Sequence, residues 1–189
     1  MTTIRDGTGN GTIARVNSEN RLAVTTENFS NIAIASAVRS QAYSVGSGAS
    51  SLSLTAAAGE SAVLYVKNNS ENTLLIDNFA VSGDQAGVWT LYRNPTGGTI
   101  TTSGTTITPV NLNYSSGGTL DGDAILGADG LTTTGGDVVL RGRVPAAFIS
   151  LDLQDAIALG NGSVFTLTFT PEADADVTVF ALVAYRAVE

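Results

Sequence analysis

Two apolar runs near the C-terminal end constrain the fold of this chain more than any other feature. Residues 164–170 and 177–185 are rich in β-branched and aromatic side chains, and a short acidic segment separates them. Such side chains favour strands, because they pack well on a pleated surface. The sequence therefore predicts a β-hairpin here, and we expect that hairpin to be the centre of an all-β body.

The two runs differ in the faces that they offer. In the first run, Phe165, Leu167 and Phe169 alternate with smaller or polar residues, which gives a strand with one apolar face. The second run is apolar on both faces, since Phe180 and Leu182 lie opposite its valines. A strand that is apolar on both faces is covered on both, by its own domain or by a neighbouring subunit. Phe180 and Leu182 are therefore candidate subunit-interface residues.

The rest of residues 41–189 alternates β-prone stretches with turns rich in Gly, Asn and Ser. About eight to ten such stretches, with turns every 8–12 residues or so, are typical of a sandwich or barrel. No repeat of fixed period occurs, which argues against propellers and solenoids. We predict a jelly-roll-like antiparallel β-sandwich.

Three places in this body are expected to be irregular. Residues 119–136 predict a long loop with one helical turn, a type of segment that is usually functional or lies at an interface. Asp77 and Asn78 interrupt an apolar strand and indicate a β-bulge. Residues 155–159 are expected to form a short connection before the C-terminal hairpin.

Residues 1–40 do not resemble part of a compact domain. They offer two short β-prone stretches between polar turns, and such strands are marginal in water without a partner. We therefore predict an extended N-terminal arm and linker that pairs with another sheet or another protein. The arm holds four arginines against three carboxylates, whereas residues 40–189 hold five cations against fourteen acids. This acidic body disfavours nucleic acid as a partner.

The composition excludes several function classes. Cysteine and histidine are absent, so the chain has neither a disulfide framework nor a Cys/His zinc site, and no histidine base. The only lysine, Lys67, lies outside any phosphate-binding loop motif. The N-terminal residues lack the apolar core of a signal peptide, and no run approaches the ~18 residues of a membrane span. We expect no enzyme, no cofactor and no membrane partner.

One acidic group, Asp121, Asp123 and Asp129, is a candidate for calcium, which prefers carboxylate oxygens on loops. Its spacing fails the EF-hand pattern, so a solvated turn is favoured. A second group, Glu172, Asp174 and Asp176, shares one face of an extended chain. Three like charges there repel one another unless they are solvated, or bound to a cation or to an arginine of a partner.

Several other side chains have both a functional and a structural interpretation. Asp152 and Asp155 resemble a glycosidase carboxylate pair, but any acidic domain offers such pairs by chance. Trp89 and Tyr92 point to opposite faces of a strand, so they cannot form one sugar-stacking platform, and Trp89 is better placed in the core. Arg141 is, like Arg143, either an ordinary surface charge or a salt-bridge partner for an acidic neighbouring subunit.

Short motifs in the chain resemble proteins of tailed bacteriophages. The RDGTGNG segment at residues 5–11, a short hydrophobic strand and NRL at residues 20–22 resemble the start of a group of phage virion proteins. The sequence LYRNPTGGT at residues 91–99, followed by TPVNLN at residues 108–113, is similar to segments that recur in phage structural proteins. The resemblance covers the arm and part of the body.

The resemblance implies a capsid decoration, or cement, protein that binds the outside of the shell and stabilises contacts between capsomers. Its partners would be the major capsid protein and other copies of itself, since such proteins often form trimers, and it would be located on the virion after assembly in the host cytoplasm. Arg5, Arg15 and Arg21 of the arm are the candidate capsid-binding residues. The alternative is the receptor-binding head of a tail or head fibre that binds a host glycan.

Overall fold

A computed structural model describes one body of the chain, in residues 41–47, 51–113, 115, 117–172 and 176–188. The chain divides into two units, Met1–Ser30 and Asn31–Glu189, and every described residue belongs to the second. The predicted arm, with Arg5, Arg15 and Arg21, lies outside the described residues. Within the described part, no helix has the length and hydropathy of a membrane span.

Strands dominate the described residues, and the only α-helix among them is the single turn Ile100–Ser103. The strands are β1 (Ala42–Gly46), β2 (Leu52–Leu54), β3 (Ser61–Asn68), β4 (Thr73–Gly83), β5 (Gly87–Arg93), β6 (Thr105–Ile107), β7 (Val110–Asn111), β8 (Gly122–Leu126), β9 (Asp137–Val144), β10 (Phe148–Leu159), β11 (Val164–Pro171) and β12 (Val177–Val188).

These strands form two antiparallel sheets. Sheet 1 has the order β10-β4-β12-β1-β7, with β2 continuing the line of β1 along β12. Sheet 2 has the order β6-β8-β3-β11-β5-β9. The pairs are nested, because β1 and β2 pair with β12, β3 with β11, β4 with β10, and β5 with β9. A long hairpin wound in this way across two sheets is a jelly roll, which confirms the predicted fold class.

The segment between β5 and β9 corrects one sequence expectation. Residues 122–126 form β8, which pairs with β3 and β6, where we predicted a long loop. Ala124 is buried in the core and Leu126 packs against it, so this short strand is stabilised by its neighbours. The helical turn is at residues 100–103, outside the predicted loop.

Strand β10 corrects a second expectation. Residues 155–159 are not a connection, because β10 continues to Leu159 and pairs there with Leu74 of β4. The register shifts between Asp152 and Ile157, so the interruption in the apolar pattern is an irregularity within the strand. The bulge predicted in β4 is confirmed, because partners Tyr185 and Ala184 face Ile76 and Asn78 and leave Asp77 as the extra residue.

The inner faces of the two sheets form the core. Phe165, Leu167 and Phe169 are at most 1% exposed, as the alternation in β11 predicted. The ring of Trp89 meets that of Phe79 edge to face at 4.8 Å between centroids, an arrangement that aromatic pairs prefer. The predicted C-terminal hairpin is wrong, because its two strands do not pair with each other: β11 lies between β3 and β5 in sheet 2, and β12 lies between β4 and β1 in sheet 1. Both strands are nevertheless central, since each has a neighbour on either side.

Candidate interaction surface

The outer face of sheet 1 carries two phenylalanines on either side of a serine. Phe148 of β10 and Phe180 of β12 are both in register with Ser82 of β4, the strand between them. Neighbouring strands lie about 4.8 Å apart, so the two phenylalanine backbones are about 10 Å apart. Because Ser82 is short, a slot remains between the rings. Phe148 is 68% exposed and Phe180 is 43% exposed.

The slot belongs to a groove of about 560 Å³ that crosses all five strands of the sheet 1 path. Small residues of β4 and β1, among them Ala80, Ser44 and Gly46, line its middle. Val110 of β7, which is 53% exposed, lines the end opposite Phe148. None of the described residues that line the groove carries a charge. The groove is therefore an apolar, neutral depression on the surface.

The two predicted interface residues lie on β12. The side chain of Phe180 is left partly uncovered by the residues that the structure describes, so its burial against another subunit stays a prediction. The backbone of Leu182 pairs with Ala80 and Gly46, two residues that line the groove, while its side chain lies outside the described atoms. Sequence reasoning missed Phe148, the first residue of β10, because nothing local to that strand shows that it lies across β4 from Phe180.

The outer face of sheet 2 has a different chemistry. Tyr65 and Tyr92 are both in register with Thr166, which is 0% exposed between them. The Tyr92 hydroxyl donates a hydrogen bond to Glu60 Oε1 at 3.1 Å, and Thr168 Oγ1 donates to the same oxygen at 2.6 Å. Burial, followed by the charge of Glu60, raises the pKa of Tyr92. This face is therefore a half-buried aromatic and polar surface.

Two of the acidic residues, Asp129 and Glu172, have local partners in the structure. The Asp129 carboxylate accepts hydrogen bonds from the backbone amide of Thr55 at 2.7 Å and from the Thr55 hydroxyl at 2.8 Å. It therefore connects the segment after β8 to the end of β2. In the described part of the chain, no three carboxylates converge in a way that could hold a metal ion. Arg143 forms a salt bridge with Glu172, with 2.6 Å between Nη2 and Oε2, so this arginine pairs within its own chain.

The remaining candidates are settled in part. Trp89 is 4% exposed in the core, as predicted. Arg141 lies near Tyr92, where its charge opposes the rise in the pKa of that hydroxyl. The backbones of Asp152 and Asp155 lie in β10, and the Asp155 side chain, like the whole of Asp174, is outside the described atoms.

Comparisons of this chain with protein-family models, with curated proteins and with solved structures found no match.

Proposed function

We propose that the protein is a non-catalytic structural protein of a tailed-bacteriophage virion. In this proposal it decorates the outside of the capsid and stabilises contacts between capsomers. The observation that carries the proposal is the neutral apolar groove on the outer face of sheet 1, on a body whose net charge is strongly negative. Monomeric soluble domains rarely leave such a patch uncovered, which favours a protein that works in an assembly.

The proposal gives the two parts of the chain separate tasks. The arm binds the major capsid protein, with Arg5, Arg15 and Arg21 as contacts, since it has strand signals but no core of its own. Adding strands to the edge of another sheet would satisfy its backbone hydrogen bonds. The body, whose strand pairs are nested, is the rigid unit that meets neighbouring copies. The phage-like motifs at residues 5–11 and 91–99 support the virion setting.

Capsid binding by charge-reversed full-length variants tests the arm. We expect the triple variant Arg5→Glu/Arg15→Glu/Arg21→Glu to lose cosedimentation with empty capsids, because it removes all three proposed contacts. The variant Arg93→Glu is the control, since Arg93 is an exposed arginine of the body that faces Asp137 at 3.6 Å. Unchanged cosedimentation of the triple variant would reject the arm as the capsid anchor. Circular dichroism checks that both variants fold.

Copy number per virion tests the location. A cement protein is present at a stoichiometry near that of the shell protein, whereas a fibre head is present in a few copies. Quantitative mass spectrometry of purified virions measures this ratio. A ratio far below that of the shell protein would exclude the capsid proposal.

A second candidate, the receptor-binding head of a fibre, is favoured by the outer face of sheet 2. Tyr65 and Tyr92 flank a threonine there, next to the Glu60 carboxylate. Aromatic rings beside a few polar groups suit a ligand such as a sugar, which has an apolar face and many hydroxyls. A glycan array with wild-type protein and Tyr65→Ala tests this. An array without hits, together with shell-like stoichiometry, would dismiss the fibre head.

A further inference from the structure

We propose that a second copy of this chain covers the groove on the outer face of sheet 1, with Phe148 and Phe180 as its anchors. The inference deepens the proposed function and rests on it for the biological setting. It names the surface through which copies of a cement protein would meet.

The distribution of exposed apolar side chains points to this surface. Phe148, Phe180 and Val110 all line the one groove, although they come from three different strands. Covering a large apolar side chain is worth about 1.5–3 kcal/mol, so leaving these three in water is costly. The residues that the structure describes leave these side chains exposed, and another molecule can cover them.

The neutrality of the groove indicates what that molecule is. Residues 40–189 carry a net charge of −9, so two copies repel each other over most approaches. A site that binds a basic partner is expected to have carboxylates around it, but none of the described residues that line the groove is an aspartate or a glutamate. A contact across an uncharged patch keeps the acidic surfaces of two copies apart. The groove is therefore suited to an equally acidic partner, and the chain itself is one.

The shape of the groove also suits contact with itself. A contact between identical patches needs a projection and a recess on the same surface. Phe148, at 68% exposure, is the projection, and the slot above Ser82 is the recess beside it. The slot is one side chain wide, since its two walls stand on strands about 10 Å apart. The same surface thus carries both the projecting side chain and the slot that the other copy's side chain can enter.

Sedimentation equilibrium of the full-length protein over a range of concentrations tests the proposal. We expect wild type to associate, and Phe148→Ser and Phe180→Ser each to weaken association by about ten- to a hundredfold, as the loss of a buried aromatic anchor implies. Ser82→Asp should also weaken it, because it places a charge in the slot that the other copy would cover. Val138→Ser is the matched control, because Val138 is 56% exposed on β9 of the other sheet. All four positions are at least partly exposed, so the variants keep the core, and circular dichroism verifies their folding.

Salt provides an independent readout. Association through a neutral patch on acidic bodies should strengthen as salt screens the repulsion between copies, whereas an interface built on ion pairs should weaken. The proposal is overturned if wild type stays monomeric, if the groove variants associate as tightly as wild type, or if salt weakens association. A monomeric wild type whose groove variants fail to bind capsids would assign the groove to the shell protein. Unchanged capsid binding by the arm variants would instead count against the arm as the capsid anchor, and a copy number far below that of the shell protein would count against the proposed function. Neither result bears on association through the groove.

Discussion

Two threonines of β11 have opposite environments although they share one face of the strand. Thr168 donates a hydrogen bond to Glu60 Oε1, whereas the Thr166 hydroxyl is buried without a hydrogen-bond partner among the described residues. An unmade hydrogen bond on a buried polar group costs about 1–3 kcal/mol, and a made one contributes about 1 kcal/mol. The same residue type therefore weakens the fold at one position and stabilises it at the other.

This difference gives a paired prediction at the residue scale. Thr166→Val should raise the free energy of unfolding by about 1 kcal/mol, because it removes a buried hydroxyl that lacks a partner. Thr168→Val should lower it by about 1 kcal/mol, because the bond to Glu60 is lost. Urea denaturation measures both values. Equal effects of the two substitutions would contradict the environments described for these hydroxyls.

At the scale of elements, the close packing of β9 on β5 depends on one glycine. Gly142 of β9 is in register with Trp89 of β5, and a Cβ at this position would lie 2.6 Å from the indole ring. The ring cannot move freely, since it packs edge to face against Phe79. Any larger residue at this position must displace either the strand or the ring.

Gly142→Ala should therefore destabilise the protein by about 1–3 kcal/mol, the usual cost of overpacking a core. Gly117→Ala is the control, because a Cβ there has open space and no left-handed backbone. Trp89 is the only tryptophan, so its fluorescence reports on the ring in both variants. A wild-type emission spectrum and an unchanged melting temperature for Gly142→Ala would disprove this packing.

The elements also differ in how well sequence predicts them. The alternation of Phe165, Leu167 and Phe169 with polar residues correctly identified the buried face of β11. The strand β8 was not predicted, because one glycine and one aspartate among its five residues leave too few positions for an alternating pattern to show. Its backbone hydrogen bonds come from β3 and β6, which are distant in sequence. Strand identity there depends on tertiary pairing rather than on local preference.

At the scale of the whole molecule, the tyrosines couple stability to alkaline pH. Burial raises the pKa of Tyr185, and the neighbouring Tyr43 raises it further. The folded protein therefore keeps a proton that the unfolded chain releases above about pH 10, the usual pKa of tyrosine. The stabilisation is complete below that pH and declines as the pH rises through the raised pKa of the folded state.

We therefore expect the melting temperature to fall above about pH 10, and to fall less steeply for Tyr185→Phe. Phenylalanine fits the same site, because the Tyr185 hydroxyl is buried and has no hydrogen-bond partner in the described part of the chain. Calorimetry between neutral and strongly alkaline pH measures both curves. Parallel curves would show that another group controls alkaline unfolding.

The candidate surface illustrates what a period in the sequence can and cannot predict. Apolar residues on both faces of β12 indicated an outer patch at Phe180, because side-chain direction along a strand follows from local geometry. The partners of that patch, Phe148 and Val110, are 32 and 70 residues away in the chain and belong to strands β10 and β7. Their convergence depends on strand order and register, which are set by long-range pairing.

The sequence by itself determined the all-β class, the buried apolar face of β11, the bulge in β4 and the acidic character of the body. Each of these follows from local alternation, local backbone preference or simple counting of charges. Only the tertiary structure decided the nesting of the strand pairs, the identity of β8 and the groove that crosses sheet 1. These features arise from contacts between residues far apart in the chain, and the energy of such contacts appears only when both partners are in place.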